Sequence, residues 1–237
     1  MKIFTSILIV LLGLFLSAAA FADETSKLLP RCGQTEFDLC GFIDAKIWKD
    51  EKRTVFIIEP KYERAGKFSN GFAAVRIDGT FGYIDEADNI VIAPQFESAG
   101  VFDRGLAVAG KVGAMGIIDT SGNFVVDPIF AHALVFSDDI ILGVPIKNAE
   151  VGHIGSGQYN ISGAGIYRVS DGWITDKTYN FERFDDPERG LIWAQVPMGK
   201  RGTWDDEYGL MRIDGSWLIE PQYSYCLLYT SPSPRDS

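Results

Sequence analysis

The chain has 237 residues, 46% hydrophobic and 23% charged, and its 32 acidic against 22 basic side chains leave a formal net charge of −10. This length can bury a sizeable core. The acid excess excludes a surface built to hold the phosphates of nucleic acid or anionic lipid, which needs clustered positive charge, and it suits a soluble protein with cationic partners.

The first element is an export signal. Lys2 gives a short positive region, Ile3 to Leu16 form an almost unbroken apolar run, and small residues lead to Ala20-Phe21-Ala22 before Asp23. This is the A-x-A pattern of signal-peptide cleavage, and the run is shorter than the roughly 20 apolar residues of a spanning helix. Residues 1–22 are therefore expected to be removed, leaving a periplasmic or secreted protein that is not membrane-embedded after cleavage. Residues 23–56 form an N-terminal segment holding Cys32, Cys40 and a partial first repeat. In an oxidising compartment such a pair is expected to form a disulfide around residues 33–39. No histidine or second cysteine pair stands nearby to complete a metal or redox site.

Residues 57–225 repeat. Pro60, Pro94 and Pro128 lie 34 residues apart, each followed by an aromatic two positions on (Tyr62, Phe96, Phe130) and by Phe68, Phe102 or Phe136 eight positions on. Gly71-Phe72-Ala73 and Gly105-Leu106-Ala107 recur, as do Gly82-Tyr83-Ile84-Asp85 and Gly116-Ile117-Ile118-Asp119. Apolar triplets (Ile90 to Ile92, Phe124 to Val126) lead into each next proline. Weaker copies occur at Gly41-Phe42-Ile43-Asp44, around Gly165-Ile166-Tyr167, and from Gly209 to Tyr223. Fixed spacing of several residue types means a repeat architecture. Each unit reads as a three-stranded meander: Phe72 to Ile77, a hairpin turn at Asp78-Gly79, Phe81 to Asp85, then a turn into Ile90 to Ala93, where proline is expected to end the strand. The predicted class is all-β, with tandem units of about 34 residues stacked as a solenoid or a propeller-like ring, because one meander cannot bury its own apolar face.

The block P-x-[YF]-x5-F-x2-G-[FL]-A followed by G-[YI]-I-D resembles the WG-repeat family of bacterial proteins. Phe81, Met115, Ala164 and Tyr208 stand where that family places the tryptophan of its Trp-Gly mark, so the resemblance is to divergent members. It implies a β-repeat interaction module without assigned chemistry.

The pattern breaks between residues 143 and 165, where Gly152-His153-Ile154-Gly155-Ser156-Gly157 and Ser162-Gly163-Ala164-Gly165 are expected to form a surface loop, with ligand contact as the functional alternative. No lysine follows these glycines as a phosphate-cradling loop would require. His132 takes the position of Arg64 and Ser98, and no nucleophile elbow accompanies either histidine. Acidic runs at Asp138-Asp139, Asp185-Asp186 and Asp205-Asp206-Glu207 lack the spacing of a calcium loop and read as solvated turns. Trp193 and Trp204 flank an irregular loop and, with His153, are the candidate ligand contacts; aromatics there suit sugar rings or a protein anchor.

Residues 226–237 follow abruptly on the last repeat, resemble a conceptual translation of a sequencing adapter, and are set apart from fold reasoning. The sequence thus predicts a non-enzymatic exported scaffold binding a protein or glycan of the cell envelope, with no cofactor, metal or nucleic acid. An envelope polysaccharide hydrolase using carboxylates of the irregular units and an architectural spacer are the alternatives.

Overall fold

The computed structural model describes residues 27–33, 39–148, 153–154, 160–175, 179–182, 190–196 and 207–223. Residues 1–22 and 226–237 lie outside them. The first sheet is β1 (Leu28–Cys32), β2 (Cys40–Asp44) and β3 (Phe56–Tyr62), all antiparallel. Cys32 and Cys40 face each other in register and are joined by a disulfide, as expected of the pair. The insertion between β2 and β3 holds a short helix, α1 (Ala45–Glu51). Asp44 caps it, its carboxylate accepting from the Ile47 N–H at 2.9 Å.

The next two units follow the 34-residue pattern. The first has β4 (Arg64–Ala65), β5 (Ala73–Ile77), β6 (Thr80–Ile84) and β7 (Ile90–Phe96) in that order across one sheet. The second has β8 (Ser98–Ala99), β9 (Ala107–Lys111), β10 (Ala114–Ile118) and β11 (Phe124–Val135). Asp78 and Gly79, at φ 48° and 81°, make the primed turn that matches the twist of a two-residue hairpin. The Asp of each G-x-I-D block shapes the following turn. Asp85 accepts from the N–H groups of Ala87 and Asn89, and Asp119 from those of Ser121 and Asn123.

The prolines do not end the strands; β3, β7 and β11 run through Pro60, Pro94 and Pro128. The pairing explains why. Phe81 faces Phe96 while Tyr83 faces Ile92, so two steps on β6 oppose four on β7. The same shift occurs at Met115/Ile117 against Phe130/Val126 and at Cys40/Phe42 against Tyr62/Ile58. Proline sits in the excess, where no N–H is needed for the ladder. Opposite it stands the repeat glycine. A Cβ on Gly82 would come within 2.5 Å of the Ile92 carbonyl oxygen, and one on Gly116 within 2.6 Å of that of Val126. Glycine and proline are two halves of one bulge.

Units join through buried aromatics and their turns. Phe102 lies 5.1 Å from Phe72 and 4.8 Å from Tyr83 of the unit before it, ring centre to ring centre, and the Tyr83 hydroxyl donates to the Gly100 carbonyl at 2.8 Å. At successive turns the Asn70 amide oxygen accepts from the Gly105 N–H at 3.3 Å, and Arg104 donates to the Phe136 carbonyl at 2.7 Å.

From β11 onward one sheet continues through β12 (Ile140–Pro145), β13 (His153–Ile154), β14 (Asn160–Arg168), β15 (Gly172–Trp173), β16 (Tyr179–Glu182), β17 (Leu191–Val196), β18 (Glu207–Arg212) and β19 (Trp217–Tyr223). The N-terminal half of β11 pairs with β10 and its C-terminal half with β12, so one strand closes a unit and opens the next. Strands dominate, the sheets are antiparallel, and they do not close into a barrel among the described residues, in keeping with the all-β repeat class. The glycine-rich stretch expected as a surface loop is partly strand, since its ends belong to β12 and β14. Gly143 and Gly165 pair in register, and a Cβ on Gly165 would press on the ring of Trp173.

Candidate binding surface

The position three residues before each repeat proline carries an exposed aliphatic side chain. Ile57, Val91, Val125 and Leu218 are 54%, 41%, 41% and 45% exposed, whereas their neighbours Ile58, Ile92 and Val126 are buried. Ile90 and Phe124, one residue earlier, are also exposed. Two positions beyond the aliphatic residue stand Glu59, Asp127 and Glu220, all exposed, and Ala93 in the remaining unit. A strand places side chains two apart on one face, so three of the four units show an aliphatic group beside a carboxylate. Among the described residues, the strands that carry them are edges. β3, β7 and β19 each end a strand order, and residues 124–128 of β11 have a partner on one side only among the described residues. Edge backbone groups can accept a further strand.

A groove of about 310 Å³ opens beside the β9–β10 hairpin. Ser98, Gly100, Val108, Val112, Met115 and His132 line it. Val112 stands at the hairpin tip, 80% exposed, and its N–H donates to the Glu97 carboxylate at 3.4 Å. His132 is half-buried on β11, in register with Val144.

Of the candidate ligand contacts read from the sequence, Trp193 and His153 lie on different strands. Trp193 is half-buried on β17, in register with Glu182 and Leu210. His153 lies on β13 opposite Ser162. Trp204 and the acidic pairs at 185–186 and 205–206 lie outside the described residues. Asp138 forms an ion pair with Arg104 at 3.6 Å, while Asp139 pairs with Arg168 at 3.7 Å and accepts from the N–H of Ser170. Among the described residues no three His, Cys, Asp or Glu side chains gather to hold a metal ion, and no helix is long and apolar enough to cross a membrane. Sequence reasoning missed the exposed ladder because an apolar triplet such as Ile90-Val91-Ile92 does not say which member faces out. It missed the groove because only comparison between units, residue by residue, reveals it.

Several aromatic and acidic groups are perturbed, and the causes are structural. Burial pushes the phenol of Tyr83 well above its ordinary range. Burial does the same to Tyr62, reinforced by the Asp88 carboxylate to which its hydroxyl donates. The Asn89 side chain, and then the Asn89 backbone N–H, hold Asp85 below the usual carboxylate range.

Open antiparallel sheets, a proline-and-glycine bulge recurring every 34 residues and strands shared between units define an all-β tandem-repeat protein. Within that class, residues 49–142 carry WG containing repeats in tandem: the model of that repeat matches residues 49–80, 81–111 and 115–142. No curated protein matches the chain. Among solved structures, one titled "Crystal structure of the eukaryotic initiation factor" is similar at 14% identity with a TM-score of 0.44. That likeness covers 84% of this chain and 52% of that one, so this chain spans about half its length.

Proposed function

We propose that this protein is an exported, non-enzymatic repeat scaffold that binds a protein partner along its edge strands. The observation that carries the reading is the repeated pairing of an exposed aliphatic side chain with a carboxylate on strands open to further pairing. Such a surface favours an extended, basic segment with aliphatic side chains. Backbone groups would supply affinity and alternate side chains specificity, and the net charge of −10 favours approach of a cationic chain. The carboxylates of Asp139 and Asp171 both reach Arg168 on an open surface, which is the setting of structural ion pairs rather than of an acid/base pair in a cleft. An envelope glycan is the second reading. Trp173 favours it, being 40% exposed and set edge-on to Phe130 and Tyr167, because a partly exposed indole can stack on a sugar ring.

The test compares the wild-type protein with a double variant, Val91→Lys and Val125→Lys, in cross-linking and recovery from envelope fractions. The partner band should be recovered with the wild type and lost with the variant, while binding to isolated peptidoglycan is unchanged by Trp173→Ala. Equal recovery with both proteins, or none with either, would sink the protein-binding reading, and peptidoglycan binding lost in Trp173→Ala would put the glycan reading in its place. Mature protein from the same fractions should begin at Asp23; an intact Met1 start would overturn export.

A further inference from the structure

The two regular units differ at one row of cross-strand neighbours. In the first, Arg64, Arg76, Phe81 and Phe96 stand side by side in register. The Arg76 guanidinium lies over the Phe81 ring, 6.0 Å from its centre, and its Nε is 3.5 Å from the Glu63 carboxylate. That carboxylate in turn accepts from the Gly79 N–H at 3.1 Å, at the tip of the hairpin. Arg76 thus lies between an aromatic ring and a carboxylate of its own chain.

Thirty-four residues on, the same row reads Ser98, Gly110, Met115 and Phe130. Both arginines are gone. Gly110 has a φ of 151°, a backbone conformation open to glycine and strained for arginine, so the chain cannot fill this position from within. The carboxylate remains, because Glu97 occupies the place of Glu63 and accepts from the Val112 N–H at the hairpin tip. Among the described residues no lysine or arginine forms an ion pair with it, and Lys111 follows Gly110 on the opposite face of β9. Ser98 and Met115, the two partners of Gly110, line the 310 Å³ groove. Ser98, Val112 and Met115, three of the residues that line the groove, are the 34-residue counterparts of Arg64, Asp78 and Phe81.

We infer that this groove receives an arginine side chain of the protein partner, its guanidinium against the Met115 thioether and the Glu97 carboxylate, as Arg76 sits on Phe81 and Glu63 within the chain. The inference rests on the protein-binding reading above and names the chemistry of one anchor. Guanidinium suits the slot better than ammonium because it is planar, weakly hydrated and able to lie flat on a neighbouring group while its edge meets a carboxylate. The fit is one of charge as well as shape, since the row has lost two positive charges and kept its acid.

The test uses the full mature chain and three small probes: N-acetyl-arginine amide, its lysine counterpart and the neutral citrulline counterpart. Binding is followed by NMR at the Met115 methyl and the His132 ring. The arginine probe should shift both resonances saturably, and the citrulline and lysine probes should bind about tenfold more weakly. Glu97→Gln should weaken the arginine probe about fivefold, the range of an exposed ion pair. Arg76→Ala should open the equivalent slot and add a second site, seen at resonances of Phe81, with recovered thermal stability when the arginine probe is present. Citrulline or lysine binding as well as arginine, an unchanged affinity in Glu97→Gln, or no second site in Arg76→Ala would each overturn the slot. Val91→Lys/Val125→Lys separates the two claims. If it loses the partner band while Glu97→Gln keeps it, the slot fails and the scaffold reading stands; probe binding without any captured partner overturns the scaffold reading instead.

Discussion

Two kinds of glycine divide the molecule. In the regular units, Gly41, Gly82 and Gly116 face the backbone of a proline-containing bulge, and Gly209 does the same before Pro221. In the irregular stretch, Gly143 and Gly165 face each other across β12 and β14 and make room for the rings of Phe130 and Trp173. The neighbour in the first case is a carbonyl held in a sheet; in the second it is the side of an aromatic side chain. The regular glycine defines the repeat unit, because without it the bulge cannot close. The irregular glycine records one local packing solution, which explains why the spacing fails there while the fold does not.

The largest expected effect tests that difference. Gly82→Ala sets a methyl 2.5 Å from the Ile92 carbonyl oxygen and 2.7 Å from the Pro94 nitrogen, with only backbone to yield. It should cost about 3 kcal/mol, the upper end for overpacking, and lower the melting temperature by roughly 8 °C. Gly143→Ala meets ring atoms of Phe130 and Trp173 in place of sheet backbone, and should cost less, about 1 kcal/mol. Thermal unfolding of the two variants checks the order. A reversal would mean that the bulge is softer than the aromatic packing, and the comparison would break.

A middle effect concerns Tyr83, buried with its hydroxyl on the Gly100 carbonyl, where the following unit has Ile117. Tyr83→Phe should cost about 1 kcal/mol at neutral pH through the lost hydrogen bond. The pH dependence has a definite sign. Burial raises the folded-state value of this phenol above the ordinary 10.0, so the folded protein keeps a proton that the unfolded chain releases. Its contribution is complete below pH 10 and is lost as pH rises towards the folded value, at about 1.4 kcal/mol per pH unit. Denaturant titrations between neutral pH and pH 11 should show a shallower alkaline loss for Tyr83→Phe than for the wild type. Equal slopes would remove Tyr83 from the account.

Much of the architecture was legible because it depends on residues that recur. The hairpin at Asp78-Gly79, the aromatics at 68, 102 and 136, and the disulfide each have a local chemical reason that spacing exposes. The course of the strands through Pro60, Pro94 and Pro128 was not legible. Proline signals a missing donor, and whether the chain ends its strand or bulges there depends on the opposite glycine, a long-range fact. The helix after Asp44 was hidden likewise, since the same G-x-I-D aspartate caps a helix in one unit and shapes a tight turn in the next two. The groove beside Gly110 had a faint trace in the sequence: Met115 in place of the family tryptophan. Its meaning needed the row of Arg76 and Phe81 beside it.

The smallest expected change in stability belongs to the surface on which the functional reading rests. Val91 is 41% exposed and Ile92, its neighbour on the same edge strand, 3%. Val91→Ser should therefore alter unfolding free energy by less than about 0.5 kcal/mol, as surface substitutions do, whereas Ile92→Ser should cost about 3 kcal/mol through a lost core contact and a buried hydroxyl. Chemical denaturation measures both. If Val91→Ser proves as costly as Ile92→Ser, the side chain is holding units together and the ladder of Ile57, Val91, Val125 and Leu218 is a seam of the fold. If it is silent in unfolding, selection for folding alone does not account for an aliphatic residue at that position in four units, and the edge is left with binding as its physical use.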